Sequence, residues 1–70
     1  MTITLNKAID YWFILDGHYC EITEAPESNS YITRVDNMMV ANKQTMQEAV
    51  RAILRYLQME TKGGIQIVIE

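Results

Sequence analysis

Residues 45–64, TMQEAVRAILRYLQMETKGG, are the stretch whose start, buried face and end can all be read from the letters. Thr45 is a favoured N-cap residue and Glu48 stands three positions on. This is the T-x-x-E capping box, in which hydroxyl and carboxylate satisfy otherwise unpaired N–H groups. Met46, Ala49, Val50, Ile53 and Leu57 recur at spacings of three and four and so share one face, which Leu54 widens. Gln47, Arg51, Arg55, Gln58 and Lys62 lie toward water. The pattern predicts a helix over 45–62, with Lys62 in its last turn, where the dipole favours a cation, and Gly63-Gly64 as its stop.

An amphipathic helix of this length is marginal alone and needs a surface to cover its stripe. Ile65-Gln66-Ile67-Val68-Ile69-Glu70 is β-branched and alternating, so a strand over 65–70 is expected, with Ile65, Ile67 and Ile69 turned to the helix. Toward the N-terminus, Thr2–Leu5 alternates as a strand, either pairing with the C-terminal strand or lying along an edge. Residues 5–16 admit two readings. Leu5, Ala8, Ile9, Trp12 and Phe13 fit a helical stripe. Alternatively, Tyr11–Leu15 and His18–Glu24 are strands joined at Asp16-Gly17, a pair that suits a type I′ turn, and this hairpin is the preferred reading. APESNS, residues 25–30, is a loop. Tyr31–Asp36 then follows as a strand with Tyr31, Thr33 and Val35 on one face, and Asp36-Asn37 turns into a short strand over Met38–Ala41. The expected fold is one α+β domain over residues 1–70, a small antiparallel sheet of four to five strands packed on one helix.

Composition narrows the function. The chain is 49% hydrophobic and 21% charged, which is globular material. A core this small makes a homodimer, or stabilisation by a partner, a live expectation. One cysteine excludes an internal disulfide. Neither a basic-then-apolar leader nor a membrane-length apolar run is read, so the expectation is a cytoplasmic protein without a membrane partner. The formal net charge of −3 is uneven. Residues 1–42 carry two bases against six acids and residues 43–70 four against three. That distribution argues against direct, general nucleic-acid binding, which needs a dominant positive field.

The search for chemistry yields no glycine-rich phosphate loop, paired-cysteine zinc pattern or helical histidine pair, so neither metal nor cofactor is expected. His18 and Cys20, two apart on a strand, share a face and could in geometry form a nucleophile–base pair. A small buried thiol beside a turn histidine is the simpler reading, and the protein is expected not to be an enzyme. Trp12 reads as core, and so do Met38 and Met39, though this methionine pair also suits an adaptable binding surface. Tyr56 lies beside the helix stripe, where a partner could cover it.

Two resemblances bear on function. A strand followed by Thr45, Glu48, Ala49 and Val50 resembles the strand-to-helix step of HicB-type antitoxins over residues 31–57, with Asn42-Lys43-Gln44 where that family has a glycine-containing segment. It implies a small dimeric regulator using Arg51, Arg55, Tyr56 and Lys62 on DNA or a toxin. In size, acidity, α+β pattern and lack of catalytic motif, the chain is similar to small phage or mobile-element inhibitors such as anti-CRISPR proteins. That implies an inhibitor that occludes a larger protein or nucleoprotein complex. From the residues themselves, Asp16, Glu21, Glu24, Glu27 and Asp36 are the expected partner contacts, with Tyr31 as anchor, because an acidic sheet region opposes a basic surface.

Overall fold

In the computed structural model, which describes residues 1–59 and 62–70, the strands are β1 (Thr2–Lys7), β2 (Tyr11–Leu15), β3 (His18–Ala25), β4 (Ser30–Val35) and β5 (Met38–Lys43). Helix α1 (Met46–Tyr56) and strand β6 (Gln66–Ile69) follow. They form an α+β fold: one sheet in the order β5-β4-β3-β2-β1-β6, with α1 packed on one face. The sheet has six strands rather than four or five. It is also mixed, because β6 pairs with β1 in parallel, Ile3 opposite Ile67 and Leu5 opposite Ile69. The physical reason is the crossover. α1 leaves the edge strand β5 and returns the chain at the opposite edge, running in the same direction as β1.

Residues 11–24 form the hairpin. Asp16 (φ 51°) and Gly17 (φ 78°) both occupy the left-handed region that a type I′ turn demands. Asp36 (φ 50°) and Asn37 (φ 69°) do the same between β4 and β5. In β5, Arg34 pairs with Met39 and Thr33 with Ala41, so Val40 is an extra residue, a β-bulge. The bulge resets the alternation and lets Val40 pack on the core.

The inner face carries Ile3 and Leu5 of β1, Phe13 of β2, Cys20 and Ile22 of β3, and Val35 of β4, all buried. Buried Thr33 belongs there too, its hydroxyl donating to the Ala41 carbonyl at 3.3 Å. Against these lie Ala49, Val50, Ile53 and Leu54 of α1, all fully buried. Burying a side chain such as Ile53 or Leu54 contributes about 1.5–3 kcal/mol. Ile65 and Ile67 pack against this cluster as expected, but Ile69 is exposed at the far edge of the sheet.

Both ends of α1 differ in detail from the sequence pattern. Thr45 is the N-cap and its hydroxyl oxygen accepts from the Glu48 N–H at 3.1 Å. The Glu48 carboxylate then accepts from that same hydroxyl at 3.0 Å, so it braces the cap side chain. The helix ends at Tyr56 rather than at residue 62, and Lys62 lies in a later turn. The positions of the expected helix at 60–61 lie outside the described residues. Gly63 and Gly64 are left-handed (φ 81° and 87°) in the link to β6, not at the helix stop. The stop is a Schellman motif: the Met59 N–H donates to the Leu54 carbonyl at 2.9 Å and the Gln58 N–H to the Arg55 carbonyl at 3.0 Å. Met59 packs against the core cluster just past this turn.

Gln58 adopts φ 58°, a conformation costly for a residue with a Cβ. Gln58→Gly is therefore expected to stabilise the fold by about 0.5–1 kcal/mol despite glycine's greater freedom when unfolded. Urea denaturation of the two proteins checks it.

Candidate functional site

With α1 on one side, the opposite face of the sheet has no layer over it among the described residues. Alternation sends Trp12 and Ile14 of β2, Tyr19 and Glu21 of β3, Ile32 and Arg34 of β4 and Met39 of β5 to that open face. Ile14 is 58% exposed and Met39 67%. Trp12 opposes Glu21, and Ile14 opposes Tyr19. The Trp12–Tyr19 diagonal closes into an offset stack with centroids 6.0 Å apart and 24° between planes. Trp12 is thus a half-buried surface residue and not core, and Met38 and Met39 are exposed. A single-sequence reading misses this because β2 is apolar at every position, YWFIL, so periodicity cannot tell its two faces apart.

Beside the stack, Ala8, Ile9, Asp10, Trp12, Tyr19 and Glu21 line a groove of about 180 Å³. Ile9, in the β1–β2 turn, is 94% exposed at its rim. Two carboxylates therefore flank an aromatic platform. Arg34 stands opposite Glu21 across the strand pair, and its guanidinium donates to the Thr23 hydroxyl at 3.0 Å. Neither Asp10 nor Glu21 has an ion pair among the described residues.

The other acids predicted as contacts do not converge here. Asp16 is exposed in the β2–β3 turn and Glu27 in the β3–β4 loop. Glu24 accepts from the Tyr11 hydroxyl at 2.9 Å, a bond that raises the Tyr11 pKa, with burial adding to the effect. Lys7 sits 4.2 Å over the same tyrosine ring. Tyr31, cross-strand from Glu24, packs against the core and lines only a small pocket at that end. Asp36 is committed internally: its carboxylate meets His18 Nδ1 at 2.7 Å and accepts from the Tyr19 N–H at 3.1 Å. Of the six predicted contacts, Glu21 alone stands beside the aromatic stack.

His18 and Cys20 do lie on one side of β3, but they make no catalytic pair. Cys20 is fully buried, its thiol points to the His18 carbonyl at 3.7 Å, and burial pushes its pKa to about 11. A buried thiol that stays protonated at neutral pH is a poor nucleophile. The His18 ring faces Asp36 instead. Among the described residues no group of three or more histidine, cysteine or acidic side chains is placed to hold a metal ion. No described helix is long and apolar enough to cross a membrane.

Arg51, Arg55 and Tyr56, the second set predicted for a partner, lie on α1 outside its buried stripe, Arg55 and Tyr56 exposed. Lys62 stands apart from them beyond the helix end. No family model, no curated protein and no solved structure matches the chain.

Hydrogen bonds from His18, and then from the Tyr19 N–H, hold the Asp36 carboxyl below the usual carboxylate range. A depressed native pKa contributes stability that is complete above the unfolded value, about 3.9, and is lost as pH falls through the native value. Asp36→Asn is thus expected to be less stable than the parent at about pH 7, with the difference shrinking toward about pH 2. Urea midpoints at both pH values check it.

Proposed function

We propose that this chain is a non-enzymatic binding protein that covers a basic surface on a protein partner with the open face of its sheet. The observation that carries the reading is the partly exposed Trp12–Tyr19 stack lining one groove with Asp10 and Glu21, neither of which has an ion pair among the described residues. An aromatic face flanked by carboxylates suits an arginine side chain: the guanidinium stacks on the ring and its N–H fork reaches a carboxylate. Ile9, Ile14 and Met39 supply apolar area around that anchor, and methionine adapts to an irregular partner. Trp and Tyr anchors of this kind concentrate binding energy. The acids at Asp16 and Glu27 add a long-range negative field that steers a basic partner to the face.

Occlusion of a nucleic-acid-binding groove, in the manner of anti-CRISPR proteins, is the form of this activity the chemistry fits best. Such a groove is lined with arginine and lysine, and a chain of 70 residues acts there by covering it.

The test is capture of a partner by the tagged chain and by two variants, Trp12→Ala and the double charge reversal Asp10→Lys with Glu21→Lys. Loss of the tryptophan anchor is expected to cost about 2 kcal/mol, roughly 30-fold in affinity. The charge reversal is expected to abolish capture, and an arginine-rich peptide to displace the partner from the parent chain. Circular dichroism of each variant verifies folding. Undiminished capture by the charge-reversed protein, or recovery of nucleic acid in place of protein, would overturn the proposal.

A further inference from the structure

On the helix side of the molecule, Lys43, Glu48, Arg51, Ala52 and Arg55 line a groove of about 110 Å³. It holds three cations against one acid in a chain of net charge −3. The acid is engaged with the Thr45 hydroxyl, and Lys43, Arg51 and Arg55 have no ion pair among the described residues. Arg51 and Arg55 stand one helical turn apart, where like charges repel. The groove runs beside β5, which is the edge strand of the sheet. One side of β5 therefore presents backbone N–H and C=O groups with no strand partner.

We propose that β5 and this groove together bind an extended acidic segment of another protein, added to the sheet as a seventh strand. An added strand takes its main-chain hydrogen bonds from β5, while alternate side chains project to opposite faces. Residues at i and i+2 on the added strand are about 6.7 Å apart, comparable to the 5–6 Å or so between positions one turn apart on a helix. Carboxylates at alternate positions thus face Arg51 and Arg55, with Lys43 beside them at the strand end. The intervening positions continue the open face next to Met39 and favour apolar side chains. The recognised pattern is acidic–apolar alternation, opposite in charge to what the Trp12 face would take.

The probe is a blocked hexapeptide alternating valine and glutamate, titrated into the isotopically labelled full chain and followed by NMR. Amide shifts are expected in β5 and along the Arg51–Arg55 turn, with none at Trp12. The same peptide N-methylated at alternate nitrogens keeps its charge but cannot extend a sheet, and it is expected to bind at least about tenfold more weakly. Arg51→Glu with Arg55→Glu is expected to weaken the parent peptide by at least about tenfold, its spectrum reporting that the fold is intact. No shift at about 1 mM peptide, or equal binding of the N-methylated peptide, would overturn the proposal. Duplex DNA shifting the same amides at lower concentration than the peptide would assign the groove to phosphates and overturn it as well. Failure here leaves the open-face reading standing, since that test reads Trp12, Asp10 and Glu21 and this one reads Arg51 and Arg55.

Discussion

The packing of one short helix on one side of a wide sheet governs this structure. α1 has 11 residues, a length of about 16 Å. Six strands at about 4.8 Å spacing make a sheet about 24 Å wide. Such a helix, whose backbone approaches β4 and β5 most closely, can dry part of one face and no more. The buried core is accordingly the contact of Ala49, Val50, Ile53 and Leu54 with Leu5, Phe13, Cys20, Ile22 and Val35. Ile69, at the sheet's far edge, stays exposed although the alternation of β6 aims it at the helix side. The same limit leaves the second face to solvent, and with it Trp12, Ile14, Tyr19 and Met39.

Much of this fold was legible because its local signals are chemical. Thr45 and Glu48 mark the helix start, and the Asp16-Gly17 and Asp36-Asn37 pairs mark two turns that need left-handed residues. Alternation in β1 and β4 follows burial on one face. What the letters hid is non-local. The helix stop is a Schellman turn at Gln58 followed by Met59 packed on the core, although the apolar pattern and charges run on to Lys62. The parallel pairing of β6 with β1 depends on where the crossover lands. Val40 turns inward only because a bulge shifts the register of β5.

The candidate site was less legible than the fold, for a related reason. Acidic residues are readable as a set but not by what they already hold. Asp36 is tied to His18 and the Tyr19 N–H, and Glu24 to Tyr11, so two of the five predicted acids serve the fold itself. Glu21 has no ion pair among the described residues, the Arg34 guanidinium opposite it donating to Thr23. Asp10 joins it through the tight turn after β1. The Trp12–Tyr19 stack was not legible because Trp12 sits in a strand without alternation, and it is the face of that strand, not its composition, that decides exposure.

The most direct measurement is acrylamide quenching of the fluorescence of Trp12, the single tryptophan in the chain, in dilute protein alone. A one-sided sheet with an uncovered second face predicts a red-shifted emission maximum and ready quenching, both suppressed if the proposed partner covers that face. A blue-shifted, unquenchable indole in the monomer would mean that Trp12 is buried. It would contradict the architecture in which one helix covers one face and leaves the other free to bind.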